Sequence, residues 1–189
     1  VNLGSKFVRS KLGLLTTLAC DRAGNPVYAL EGSVFIGGAA IQWLRDGLKL
    51  IKKAQETESI AKKTSNSNGI VVVPAFTGLG APYWRPDVRG AIFGITRGTT
   101  REMIIKATVD SIALQVNDVL QIIVKEASIK LPSLKVDGGA TQNRYLMQLQ
   151  SDLLRVPVLK SDLTESTAWG VAKLAGFASG FWSDLNKLD

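Results

Sequence analysis

An apolar segment, Leu131 to Val136, runs into Asp137-Gly138-Gly139-Ala140-Thr141-Gln142 and then into a stretch where Leu146, Leu149 and Leu153 recur at intervals of three and four. The first segment reads as a short buried strand, and Asn143 to Leu154 reads as an amphipathic helix. Two glycines at a strand-to-helix turn remove side chains from the corner and permit positive φ. The helix behind them offers unpaired N–H groups and the positive end of its dipole, which suit an anion or a polar ring. The chemistry suggested is nucleotide binding; a plain chain reversal has the same local signature. The sequence has no G-x-G-x-x-G and no Walker loop, so those two nucleotide-binding modes are excluded.

The rest of the chain alternates in kind. Gly13 to Cys20 and Val27 to Gly32 read as strands, and the turn residues from Asp21 to Pro26 make them a hairpin. Val34 to Leu44 reads as a helix, and Leu48 to Lys63 as a polar one with Ser59 as a candidate cap. Ser65 to Gly69 is a turn-rich connector. Ile70 to Val73, within Gly69 to Pro74, has the composition of a fully buried strand. Phe76 to Gly90 is a glycine- and proline-rich loop around Tyr83-Trp84, expected to pack on the core rather than to stack on a sugar. Thr99 and Glu102 match a capping box. Behind them Ile105, Val109, Ile112, Val116, Val119 and Ile123 step by four and three, marking the longest helix. Val156 to Leu159 is a strand. Glu165 to Gly180 is a helix, capped by Glu165, whose small residues imply a backbone pressed close to its neighbour. Strands followed by helices alternating with single strands predict an α/β layer fold with a mixed sheet flanked by helices.

Composition narrows the chemistry. At 189 residues one domain with an ample core is expected. Histidine is absent, which excludes a Ser-His-Asp triad, a Cys-His pair and a histidine-ligated zinc site within this chain. Cys20 is the single cysteine, so no internal disulfide forms; a reducing cytosol fits. No uninterrupted apolar run approaches the ~20 residues that span a bilayer, and the first residues lack a signal-peptide layout. The formal charge is +7, with Lys49, Lys52, Lys53, Lys62 and Lys63 close in sequence. A solvated helical face is the expected role. A nucleic-acid patch is the alternative, but no aromatics interleave with these lysines.

Four blocks, in order, carry a resemblance: YALEGSVFIGGAAIQWLRD from Tyr28, VVVPAFTGLGAPYW from Val71, RGAIFGITRGTT from Arg89 and VDGGATQNRYLMQLQSDLLRVPV from Val136. They resemble the C-terminal domain of the FGGY family of carbohydrate kinases, within it the members that act on glycerol. The resemblance implies a ribonuclease-H-like, actin-type ATPase domain over residues 1–189, forming the nucleotide side of a two-domain enzyme. It implies that the sugar-binding domain with its general-base aspartate, and a Gly-Thr-Gly phosphate loop just before the part corresponding to Val1, lie outside this chain. No catalytic residue is then expected here, and the chain alone is expected to be inactive. The implied reaction moves the γ-phosphoryl of ATP to glycerol, with magnesium. The implied partners are ATP and ADP, glycerol through the other domain, and further copies in a homo-oligomer, in the cytoplasm, with no nucleic acid and no membrane. Two alternatives remain: another FGGY sugar kinase, such as one acting on a pentulose, or a non-catalytic binding module of the actin-like ATPase type.

The family's Gly-Gly-x-x-x-Asn turn falls on Gly138, Gly139 and Asn143, and its Gly-x-x-x-Gln pair on Gly38 and Gln42. Gly139 would let the backbone approach a nucleoside, and the Asn143 amide offers both a donor and an acceptor. Gly38 inside a helix would cost about 1 kcal/mol relative to alanine, and Gln42 lies one turn further on the same face. Each has a plainer role available: Gly38 in close helix packing, Gln42 as a surface residue, Asn143 as a helix cap. Asp137 could orient a phosphate or magnesium, or simply form the turn. Three positions depart from the family pattern: Arg85 where an acidic residue is usual, Met103 where a polar one is usual, and Trp169 where a small aliphatic one is usual.

Overall fold

The computed structural model describes residues 1–21, 23–163 and 165–184. Arg22, in the expected hairpin turn, lies outside them. Strand β1 (Asn2–Gly4), β2 (Leu15–Cys20) and β3 (Pro26–Glu31) form an antiparallel sheet in the order β1-β3-β2. The β2–β3 register, from Leu15 opposite Glu31 to Cys20 opposite Pro26, is the expected hairpin. Its turn is built by Asp21, whose carboxylate accepts from the backbone N–H groups of Ala23 and Asn25 at 2.9 and 2.8 Å.

Helix α1 (Gly38–Asp46) and α2 (Glu56–Lys63) follow, then β4 (Val71–Val73) and β5 (Ala91–Phe93), an antiparallel pair. The long helix α3 (Arg101–Ala127) leads to β6 (Leu134–Val136), α4 (Arg144–Leu154), β7 (Val158–Lys160) and α5 (Ser166–Ala178). Strands β6 and β7 pair in parallel, so β6-α4-β7 is a crossover unit. The α/β layout stands, but among the described residues the ladders form three short sheets, two antiparallel and one parallel, in place of the one mixed sheet expected.

Helix α3 organises the core. Of the six residues in its apolar stepping, Ile105, Val109, Ile112, Val119 and Ile123 are buried. Its first half packs with Ala40, Ile41 and Leu44 of α1 and Leu146 of α4. Its second half packs with Leu14 and with Leu30 of β3. Ala107 meets Ile70 and Val72 beside β4. Helix α3 is long and apolar enough to cross a membrane, but half of that window is buried inside this core. Tyr145 of α4 ties back to α3: its hydroxyl donates to Asp110 at 2.6 Å, and the Lys106 ammonium sits over its ring at 4.4 Å.

Several local expectations change. The helix expected from Val34 starts only at Gly38, because the Ser33 carbonyl accepts from Ala81 N at 2.9 Å and binds the strand-to-helix connection to the loop after β4. The helix expected over Leu48 to Lys63 is confined to α2. Lys49 takes φ 55, which breaks the run, and the Glu56 carboxylate accepts from the N–H groups of Lys52 and Lys53 at 3.1 and 2.7 Å. Ser59, the expected cap, lies inside α2 and donates to the Glu56 carbonyl, and α2 begins without a side-chain capping bond. The cap of α3 is Thr100, which accepts from Met103 N at 3.4 Å, whereas Thr99 accepts from Thr96 N at 2.8 Å. Strand β4 is only half buried, with Val71 51% exposed. Helix α5 has no buried residue, and Glu165 precedes it without a side-chain capping bond. A close approach occurs at Gly176, where an added Cβ would lie 2.2 Å from the Trp182 ring.

The loop from Phe76 to Gly90 does pack on its surroundings. The Trp84 indole N–H donates to Gly13 O at 2.6 Å, and its ring meets Phe35 edge-on with centroids 6.1 Å apart. Arg85, the first family departure, pairs with Asp87 at 2.6 Å. Met103 packs on the Ile70–Val72 cluster, and Trp169 meets Trp182 edge-on.

Candidate functional site

Strand β6 delivers the chain to Asp137 and then to Gly138, which takes φ 85. That conformation favours glycine. Gly139 opens a single 3-10 turn, Gly139–Gln142, and Asn143 leads into α4. Thr141, buried beneath the turn, donates its hydroxyl to Gly138 O at 2.7 Å and its backbone N–H to the same oxygen at 3.1 Å. An added Cβ at Gly138 or Gly139 would meet no atom within 4 Å, so the corner faces open space. The expected strand, bare turn and helix are present in order, but the strand expected over Leu131 to Val136 is confined to Leu134–Val136 and none of its residues is buried.

Asn143 is 9% exposed and its amide is engaged on both sides. Its carbonyl accepts from Leu146 N at 3.0 Å, capping α4, and its NH2 donates to Thr57 Oγ1 at 3.1 Å. One N–H and one lone pair of the amide remain for another partner. The helix terminus differs from expectation. The N–H of Arg144 donates to a carboxylate oxygen of Glu58 at 3.0 Å, and Leu146 N–H goes to Asn143. A protein carboxylate thus holds the anion position of α4. Lys62, 2.6 Å away, and the Arg144 N–H together keep the Glu58 carboxyl below its ordinary pKa. The Gly138–Gly139 face of this corner stays open to a ligand.

Gly38 is the first residue of α1, not an interior one, so the helix-interior penalty does not apply. Gly38 and Gln42 are both exposed on α1, and an added Cβ at Gly38 would meet nothing within 4 Å. Helix α1 and the turn share one core, in which Ala40, Ile41 and Leu44 lie with Leu146 and Ala140. The two predicted pairs are thus mounted on one packed body. The cavities beside the turn, one of about 370 Å³ lined by Thr141, Gln142, Arg144 and Lys160 and one of about 480 Å³ lined by Asp137, Lys160 and Ser166, do not include Gly38 or Gln42. Asp137 receives a hydrogen bond from the Ser166 hydroxyl, so its carboxylate has a structural partner. Among the described residues no group of three or more histidine, cysteine, aspartate or glutamate side chains could hold a metal ion. Sequence inspection missed Thr57 and Glu58, which lie 86 residues from the partners they bind.

Comparison with known proteins decides the family. Residues 2–179 match the model of the FGGY family of carbohydrate kinases, C-terminal domain. The chain belongs to the FGGY family of carbohydrate kinases. Among FGGY relatives, the glycerol kinase of Alkaliphilus oremlandii is 57% identical over 189 residues, 100% of this chain and 38% of that protein. The glycerol kinase of Haemophilus influenzae is 55% identical over 188 residues, 100% of this chain and 37% of that protein. The crystal structure of Plasmodium falciparum glycerol kinase with ADP matches 100% of this chain and 38% of its own, with TM-score 0.85 and 38% identity. A ligand-bound xylulose kinase from Lactobacillus acidophilus matches 90% of this chain and 35% of its own, with TM-score 0.71 and 24% identity, a likeness of FGGY fold alone. The chain spans 38% of the length of the first of these relatives.

Proposed function

We propose that this chain forms the nucleotide side of an enzyme that transfers the γ-phosphoryl group of ATP to glycerol. The observation that carries this is its alignment, from end to end and at 57% identity, with a glycerol kinase. In this reading Gly38 and Gln42 on α1 and Gly138, Gly139 and Asn143 at the β6–α4 corner flank the adenosine. The bare turn accepts the nucleoside against its backbone, and the uncommitted N–H and lone pair of the Asn143 amide supply polar contacts. The phosphates point away from α4, whose terminal N–H of Arg144 is held by Glu58.

Phosphoryl transfer rests on positioning and charge stabilisation. The part proposed for this chain is positioning: it holds one end of ATP on a rigid helix-packed body. The acceptor hydroxyl, its general base and the phosphate loop belong to the remaining part of the enzyme. Magnesium, when bound with the nucleotide, neutralises phosphate charge. Among the described residues no cluster of acidic, cysteine or histidine side chains that could hold it is found. A homo-oligomer in the cytoplasm is part of the same proposal.

The test is a substrate panel with the full-length protein and ATP. Glycerol-dependent ADP release should exceed that with xylulose. Faster turnover of xylulose would reassign the acceptor, and no nucleotide turnover with any polyol or sugar would sink the proposal.

A further inference from the structure

Two residues of α2 reach the corner at which the nucleoside is proposed to bind. Thr57 is fully buried, at 0% exposure. Its hydroxyl donates to Ala54 O at 2.6 Å, so the lone pairs of Oγ1 face outward to accept. Asn143 meets it with its NH2 at 3.1 Å, while the Leu146 N–H claims the amide carbonyl at 3.0 Å. An asparagine amide has two nearly isosteric orientations, related by a half-turn. Here a donor on one side and an acceptor on the other select the same one. With the amide reversed, its NH2 would face the Leu146 N–H, donor against donor. Its oxygen would face a hydroxyl already committed to Ala54. Next to it, Glu58 accepts from Arg144 N and holds the first turn of α4 against α2.

We infer that Thr57 is a positioning residue for nucleotide recognition, acting by fixing the orientation of the Asn143 amide so that one N–H and one lone pair stay presented to the nucleoside. This rests on the proposed role of Asn143 as a nucleoside contact. Thr57 is buried and touches no ligand. Its effect on binding passes entirely through Asn143. A hydroxyl oxygen at this position is the requirement, so serine suffices and valine, of nearly the same shape, does not.

The experiment measures ADP affinity by calorimetry in full-length protein, with thermal stability recorded alongside, for Thr57→Val, Thr57→Ser, Asn143→Ala and the Thr57→Val/Asn143→Ala pair. Thr57→Val should weaken ADP about five- to tenfold, the scale of one buried hydrogen bond, and Thr57→Ser should stay close to wild type. In the Asn143→Ala background Thr57→Val should add no further loss, since a residue that acts through another has nothing left to position. A lowered melting temperature with unchanged ADP affinity in Thr57→Val would make Thr57 merely structural and overturn the inference. An undiminished Thr57→Val effect in the absence of Asn143 would overturn it as well. If Asn143→Ala weakens ADP and Thr57→Val does not, the positioning role alone fails. If Asn143→Ala itself leaves affinity unchanged, the nucleoside assignment fails and takes the positioning role with it. Should Thr57→Val not fold, Thr57→Ala carries the same comparison. Hydrogen exchange at the Leu146 amide adds a ligand-free readout, expected to quicken in Thr57→Ala and not in Thr57→Ser.

Discussion

Asn143 carries two duties in this account, and two substitutions separate them. Asn143→Ala removes the cap on Leu146 N and the bond to Thr57 Oγ1 together. Loss of an N-cap costs about 1 kcal/mol, and loss of a buried neutral hydrogen bond about 1 kcal/mol more. At about 2–4 °C per kcal/mol for a domain of this size, the melting temperature should fall by roughly 4–8 °C. Asn143→Asp keeps an oxygen in the capping place, and aspartate caps as well as asparagine. The Thr57 hydroxyl stays with Ala54 O, so the bond from the amide NH2 to Thr57 is lost in both variants. Glu58 already holds the anion position of α4 beside it, so burial and like-charge repulsion offset what the retained cap contributes, and Asn143→Asp should be no more stable than wild type. For ADP the two variants behave alike: both lose the amide donor, and both should bind about tenfold more weakly. Scanning calorimetry and titration of ADP on the same preparations give both numbers. Equally fast hydrogen exchange at the Leu146 amide in the alanine and aspartate variants would refute the capping account. Wild-type ADP affinity in Asn143→Asp would refute the use of the amide as a nucleoside donor.

Two further predictions bear on the scaffold. Leu44 has 0% exposure and joins α1 to Ile105, Val109 and Leu146, so Leu44→Ala should cost about 2–5 kcal/mol in urea unfolding; a loss below about 1 kcal/mol would mean that α1 is not packed as described. The Arg85 guanidinium, with a backbone N–H, pushes the Asp87 carboxyl down to about 2 from an ordinary 3.8. Because the folded value is depressed, any stabilisation from Asp87 is present above its unfolded pKa and fades as pH falls from there through about 2. Carbon-13 titration should find Asp87 back in the ordinary carboxylate range in Arg85→Leu, and an unmoved value would remove the ion pair as the cause.

Helix α3 was legible because its apolar residues repeat at helical spacing and each buried position follows from the one before. The β2–β3 hairpin was legible because Asp21 and Gly24 carry the turn chemistry within a few residues. The corner was legible for the same reason, since Gly138 needs its positive φ and Asn143 caps the helix it begins. Leu48 to Gln55 misled because its composition suits a helix. What stopped one was Lys49 in the left-handed region and a carboxylate from the next helix. The small residues of α5 promised a tight helix neighbour, yet none of its residues is buried and Trp182 closes on it at Gly176; an apolar pattern alone does not say which element will cover it.

The sequence by itself determined the strand, bare turn and capped helix, and the long apolar stripe on which the core is built. Backbone sterics and helical periodicity act within a few residues, so they are written along the chain. Only the tertiary structure decided what stands at the mouth of α4. Thr57 and Glu58 come from 86 residues away to orient Asn143 and to fill the anion position that the helix terminus would otherwise offer. A helix end recruits its partners by packing, and packing depends on which elements meet in space.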